Sequence, residues 1–410
     1  MSLAQKAGMN PAIAGAARAG VAQTTVLGIL FAVSGSHMLN DMMQSLAPAL
    51  YPVFREEYSL SFFETGIITF VFQLTASMLQ PLIGLFTDRR PMPYALPSAM
   101  GFTAIGLVLL AFSTTYPMLL ASVAMIGIGS AIFHPEASRV SRAASGGRFG
   151  FAQSLFQVGG NFGQSLGPLM AAFIVVPGGQ KSVLGFTVLA LIAILLLTRA
   201  AQWHIGHRAQ QRRAAPASAK EGLPRALVVR SLVILIVLLF SKTFYLASLQ
   251  SYYTFYLIQT FGVTLQNAQV LLFVFLGAVA AGTFIGGPIG DRIGRKYVIW
   301  VSILGVLPFT LLLPYLGLTG TVIDSIAIGL VLSSAFSAMV VYAQELAPGN
   351  VGAVAGLFFG LSFGLGGIGA AALGFLADKT SLTFVYQICS YLPAIGLLTY
   401  FLPDMRKRKA

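Results

Sequence analysis

The hydrophobic positions of this chain do not alternate with polar ones. They gather into runs near residues 25–52, 61–86, 93–113, 117–138, 150–175, 183–202, 229–258, 267–289, 297–316, 323–345, 352–377 and 382–402, with short polar breaks between them. Most runs hold roughly twenty residues, the length that carries a helix across a ~30 Å hydrocarbon core. Strands of a membrane barrel would alternate apolar and polar residues over about ten positions instead. The pattern predicts an all-α membrane protein with twelve transmembrane helices.

Composition sharpens this reading. The 410 residues are 56% hydrophobic and only 9% charged, against roughly 25% charged in an ordinary soluble domain, and the mean hydropathy is +0.82. A net charge of +13 could suggest nucleic acid. The basic residues, however, sit in short loops without interleaved exposed aromatics, so the expected surroundings are a lipid bilayer and no nucleic acid. Of 25 Lys and Arg, Arg55, Lys181 and Lys379 fall in loops placed outside, Lys242 falls inside a span, and the other 21 face inward. That asymmetry puts both termini in the cytoplasm. The single cysteine, Cys389, excludes an internal disulfide framework and a cysteine-based metal site.

The spans divide into a cytoplasmic tail over 1–24, an N-terminal six-helix bundle over 25–202, a basic cytoplasmic linker over 203–228, a C-terminal six-helix bundle over 229–402 and a basic tail over 403–410. A repeat supports the division. Gly84-Leu85-Phe86-Thr87-Asp88-Arg89 precedes Gly287-Pro288-Ile289-Gly290-Asp291-Arg292 by 203 residues, each at the inner end of the second span of its half. Parallel repeats of this kind meet at a substrate site near the bilayer midplane. The stretch Gly286–Lys296 could be a phosphate cradle of a soluble enzyme, but between two apolar runs it reads as a tight interhelical turn.

An ionisable side chain at mid-membrane costs about 2.5–3.5 kcal/mol on insertion scales, so those present are candidate functional groups. His37, Asn40, Asp41 and Gln44 stand at i, i+3, i+4 and i+7 on one face of the first span. His37 and Asp41, one turn apart, form a pair that can exchange protons; the bland alternative is a satisfied polar pair holding two helices together. The fourth span ends in His134-Pro135-Glu136-x-x-Arg139. Glu136 and Arg139 share a face there, either as a structural ion pair at the cytoplasmic mouth or as a proton and substrate site. His134 reads as a packing residue, and without a second histidine or cysteine at ligand spacing no metal is expected.

Lys242 stands near the middle of the seventh span, with Tyr245, Tyr252 and Tyr256 within one quadrant of the same helix. An ammonium beside tyrosyl hydroxyls would receive a phosphonate or phosphate; alternatively, Lys242 pairs with Asp41 across the two halves. In the fifth span Gln153, Gln157, Asn161 and Gln164 form a stripe suited to water or ligand. Gly159, Gly163 and Gly167 form another stripe suited to close helix packing. Glu345, near the inner end of the tenth span, reads as a gate, while His204 and His207 of the basic linker read as solvated. No nucleophile elbow, Walker lysine or ATPase segment is present, so the chain is not expected to be an enzyme, needs no cofactor and would draw on an ion gradient.

Gly287-x-x-x-Asp291-Arg292-x-Gly294-Arg295-Lys296 resembles the loop signature of the major facilitator superfamily, and the weaker copy at Gly84, Asp88 and Arg89 stands where that family repeats it. Gly163-x-x-x-Gly167-Pro168-x-x-Ala171-Ala172 resembles the antiporter motif of its drug exporters, with alanines for the final glycine pair. Where many of those exporters carry Arg and Gln in the fourth span, this chain has Val123 and Ile126. Ser36-His37-Met38-Leu39-Asn40-Asp41, Phe133-His134-Pro135-Glu136 and Ser251-Tyr252-Tyr253-Thr254-Phe255-Tyr256 are similar to the fosmidomycin resistance transporters, bacterial inner-membrane exporters of that phosphonate.

The resemblance implies alternating access. Asp88 with Arg89, and Asp291 with Arg292 and Arg295, would latch the inner side against the N-termini of the eleventh and fifth spans. The expectation is a monomeric, proton-coupled antiporter exporting a small anionic antibiotic. Asp41, His37 and Glu136 would carry protons, and Lys242, Asn40, Gln44, Arg139, Gln157, Asn161, Tyr245, Tyr252 and Tyr256 would contact substrate. An importer or exchanger of a phosphorylated or organic-acid metabolite is the alternative, and an intramembrane enzyme or receptor a remoter one.

Overall fold

A computed structural model describes residues 25–49, 54, 57–60, 62–214 and 223–405. The expected tail over 1–24, the middle of the linker and the last residues of the basic tail lie outside the described residues. Everything regular among the described residues is helical, with no strand.

The helices are α1 (Leu27–Ala49), α2 (Phe62–Gln73, a π-helical turn Leu74–Met78, then Leu79–Arg89), α3 (Ala95–Ala111) and α4 (Tyr116–Ala144). They continue as α5 (Phe149–Met170, extended by Ala171–Val175 and Val176–Gly178), α6 (a 3₁₀ entry Gln180–Phe186, then Thr187–Ala214), α7 (Arg225–Phe261) and α8 (Leu265–Ile293). The last are α9 (Arg295–Ile303, then Leu307–Leu312 and Leu313–Tyr315), α10 (Leu318–Ser333 and Ala335–Leu346), α11 (Val351–Lys379) and α12 (Leu382–Cys389 and Leu392–Phe401).

Nine of the described helices are long and apolar enough to cross a membrane. α3 is shorter. α1 and α5 have the length, at 23 and 22 residues, but each carries a polar stripe that lowers its hydropathy, and these stripes build the site described below. Large apolar side chains such as Phe31, Leu195 and Tyr400 are exposed on the outer surface, where lipid tails would cover them.

The connection expected over 203–228 is helical up to Ala214 and again from Arg225. Hydropathy marks where a helix leaves hydrocarbon, not where its hydrogen bonds stop, so α6 and α7 extend past their apolar runs. One consequence corrects the reading of His204: it is 7% exposed and buried, while His207 stacks on Trp203 with centroids 4.8 Å apart.

Packing places α1 on α5, α3 between α4 and α6, and α7 on α11; α8 lies against α5, and α2 against α11. The last two contacts join helices that precede the central connection to helices that follow it. α5 can approach α1 because its small-residue stripe leaves room: a Cβ at Gly163 would collide with the Met38 carbonyl, and one at Gly167 with the Ser45 hydroxyl. Pro168 continues the helix, and its side chain is outside the described residues.

Candidate functional site

The α1 stripe turns inward. Asp41 is 2% exposed and accepts hydrogen bonds from Asn40 Nδ2 at 2.9 Å and, from α5, Gln164 Nε2 at 3.2 Å. His37 Nε2 lies 3.3 Å from the same carboxylate. From α4, His134 reaches both groups: its Nε2 is 3.6 Å from Asp41 Oδ1 and 3.2 Å from His37 Nε2. The Nδ1 atoms are anchored elsewhere, that of His37 on the Phe156 carbonyl at 2.7 Å and that of His134 on the Ser130 carbonyl at 2.9 Å. His134 is fully buried between the Phe133, Phe359 and Phe363 rings.

The fold thus adds His134, a packing residue by its local sequence, to the pair on α1. The expectation of no metal considered only the neighbours of His134 along its own helix. In the structure, ligand-type atoms of His37, Asp41 and His134 lie within 4.8 Å of one another, a spacing that one ion could bridge.

His37 and Asp41 open onto a cavity of about 480 Å³, into which Gln44, Gln157 and Asn161 also project. Lys242 enters it from α7, on the other side of the central connection. Lys242 is 6% exposed, its Nζ stands 5.3 Å from the centroid of Phe336, and no ion pair among the described residues includes it. Gln44 Nε2, Gln157 Oε1, Thr243 Oγ1 and Ser333 Oγ are buried polar atoms without a protein partner. The cavity therefore offers one cation, one carboxylate–imidazole cluster and several uncommitted hydrogen-bonding groups. Two of the lining amides are engaged, Asn161 donating to Thr283 Oγ1 of α8 at 3.3 Å and Gln164 to Asp41.

The tyrosines expected beside Lys242 lie elsewhere. Tyr245 and Tyr256 belong to a buried cluster with Tyr253, Phe275 and Tyr386, and the Tyr252 hydroxyl donates to the Ala370 carbonyl at 2.5 Å. The cavity face of α7 runs instead through Lys242, Thr243, Leu246, Ala247, Gln250 and Ser251. Spacing puts the three tyrosines on one face, but that face turns away on the far side of Lys242. Asn40 supports Asp41 without lining the cavity.

Arg139 and Glu136 are also displaced from the cavity. They pair with each other, and Arg139 Nη2 lies 2.6 Å from Asp88. Asp88 accepts from the backbone N–H groups of Gly352 and Ala353 at 3.0 and 2.8 Å, at the start of α11. The equivalent assembly places Asp291 on the N–H groups of Gly150 and Phe151, both at 2.9 Å, at the start of α5. Arg295 joins Asp291 at 2.7 Å to Glu345 at 3.7 Å. A carboxylate receiving two N–H groups at a helix N-terminus is stabilised by both hydrogen bonds and the helix dipole.

Arg89 and Arg292 project from the helix ends, exposed and outside these assemblies. Each follows its aspartate by one residue, and the ~100° turn per residue of a helix swings it outward. A further link unmarked by the sequence pattern ties the same layer together: Arg142 donates to Gln344, Gln344 to Ser138, and Ser138 to Gln153. Measured along α5, the cavity begins at Gln157, about two turns beyond Gly150, so these ion-paired helix ends and the cavity are separate layers.

Comparisons with known proteins identify the family. The family model described as Major Facilitator Superfamily matches residues 33–371 and 253–410. The chain is 55% identical over 396 residues to the fosmidomycin resistance protein of Escherichia coli (strain K12), covering 97% of this chain and 98% of that protein. It is 43% identical over 387 residues to the uncharacterized MFS-type transporter YfnC of Bacillus subtilis (strain 168), covering 94% and 95%. Among solved structures it resembles the transporter FucP in the outward conformation, with TM-score 0.72 and 16% identity over 92% of this chain and 99% of the other. It also resembles the proton:xylose symporter XylE, with TM-score 0.73 and 13% identity over 94% and 97%. The chain belongs to the major facilitator superfamily, as a multi-pass transport protein of the bacterial inner membrane and not an enzyme.

Proposed function

We propose that this protein is a proton-coupled antiporter that exports a small anionic antibiotic, a fosmidomycin-like phosphonate, by alternating access. The observation that carries the reading is the arrangement of one cavity: Lys242, without a carboxylate partner among the described residues, on one wall, and Asp41 with His37 on another. An unpaired ammonium in a membrane interior is costly, and an anionic head group that hydrogen-bonds to it removes that cost. Gln44 and Gln157 supply further uncommitted polar atoms for the substrate. The name of the Escherichia coli relative supports the phosphonate as substrate.

In this reading the assemblies around Asp88 and Asp291 form the cytoplasmic gate and are engaged here, with the cavity on the far side of them. Substrate bound to Lys242 leaves toward the outside as a proton arrives at the Asp41 cluster. The loaded cluster then favours the inward-open state, where the proton is released. Glu136 and Arg139 act in the gate, and the tyrosines of α7 act in packing.

The test is susceptibility to fosmidomycin in a sensitised host expressing equal amounts of wild type, Asp41→Asn and Lys242→Ala. Wild type should protect and both variants should fall to the level of the empty vector. Full protection by both variants contradicts the assignment.

A further inference from the structure

The anchoring of the two imidazoles sets a proton count. A carbonyl oxygen only accepts, so the contact of His37 Nδ1 with the Phe156 carbonyl at 2.7 Å places N–H on that atom, and so does the contact of His134 Nδ1 with the Ser130 carbonyl at 2.9 Å, which is nearer than the Ser130 hydroxyl at 3.3 Å. A neutral imidazole carries one ring proton. If both rings were neutral, both Nε2 atoms would present lone pairs to each other across 3.2 Å. Both also face the Asp41 carboxylate, at 3.3 and 3.6 Å. Three acceptors would converge in a buried site with no donor between them, and such a cluster repels itself strongly in a low-dielectric interior.

We infer that His134 completes a two-histidine, one-carboxylate proton store, in which one additional proton is shared between His37 Nε2 and His134 Nε2 beside ionised Asp41. With that proton the contact between the rings has a donor: one ring is an imidazolium, its Nε2–H points to the other ring, and the positive charge sits against the carboxylate. The inference deepens the coupling reading above, on which its role in transport rests.

The surroundings suit such a store. Among the cavity-lining residues the charged or titratable groups are His37, Asp41 and, from α7, Lys242. α5 faces the cluster with Phe156, Gly160 and the Gln164 amide, and α11 faces it with Phe359 and Phe363. Lys242 is the cation that a stored proton would oppose across the cavity.

Nitrogen-15 NMR of the full-length protein, histidine-labelled and held at about pH 7 without substrate, counts the ring protons directly. The four histidines are assigned by comparison with the His204→Gln/His207→Gln variant. The expected result is three N–H protons over the rings of His37 and His134, two on Nδ1 and one shared between the Nε2 atoms. Asp41→Asn should reduce the count to two. Two N–H protons in wild type with one ring in the Nε2–H form overturn the inference. So does a protonated Asp41 carboxyl in infrared spectra, or a metal ion co-purifying in equimolar amount and lost with His134→Gln. Because no substrate is present, a protein that stores the proton but does not couple it to transport gives the expected spectrum and fails only in transport, which separates the two claims.

Discussion

Arg139 Nη2 lies 2.6 Å from Asp88 and the same guanidinium pairs with Glu136, so one cation from α4 holds two acidic groups under the N-terminus of α11. Arg139→Ala leaves both carboxylates without that cation, and truncating one member of a buried pair typically costs about 3–5 kcal/mol. Asp88 keeps its two backbone donors, which offsets part of this. The remaining loss should shift the equilibrium away from the latched state by at least about tenfold, or about 1.4 kcal/mol. Modification of Ser138→Cys, a fully buried position in the latch layer, in a Cys389→Ser background measures it. Labelling should accelerate by at least that factor, and an unchanged rate contradicts the latch.

Gly160 packs against the His37 ring so closely that a Cβ there would overlap the imidazole. Gly160→Ala should push His37 out of register with His134 and Asp41, at an overpacking cost of about 1–3 kcal/mol. Resistance should be lost, with a modest fall in thermal midpoint. Gly364→Ala, at a position with open space around its Cβ, is the control and should retain both.

The tyrosines of α7 give a prediction that separates packing from binding. Tyr252→Phe deletes the hydroxyl that donates to the Ala370 carbonyl and should cost about 0.5–1.5 kcal/mol of stability. The substrate concentration for half-maximal transport should not change in Tyr252→Phe or Tyr256→Phe, whereas Lys242→Gln should raise it by about tenfold or more, the loss expected of a charged hydrogen bond of about 1.5–3 kcal/mol. Equal effects from the tyrosines would return them to the substrate site.

These predictions follow the line between what the sequence displays and what only packing decides. The all-α membrane fold is legible because its signal is local: apolar runs of bilayer length recur along the chain. The face carrying His37, Asn40, Asp41 and Gln44 is legible for the same reason, since helical periodicity operates within α1. His134 escaped because its approach to His37 depends on how α1 packs on α4, and no spacing along one helix encodes that. Periodicity grouped Tyr245, Tyr252 and Tyr256 correctly as one face but carried no information about which neighbour that face meets. The ion-paired helix ends show both outcomes, since Asp88 and Asp291 are marked by the repeat while Arg139, the cation that joins Asp88, comes from another helix.

The central claim, proton-driven export through the Asp41 and Lys242 cavity, is tested most directly by uptake of radiolabelled fosmidomycin into inside-out vesicles with an acid interior. Wild type should accumulate the drug above its external concentration and lose it when a protonophore collapses the gradient. Asp41→Asn should equilibrate the drug without accumulating it. Accumulation that ignores the gradient, or that occurs only in right-side-out vesicles with acid outside, would contradict the account.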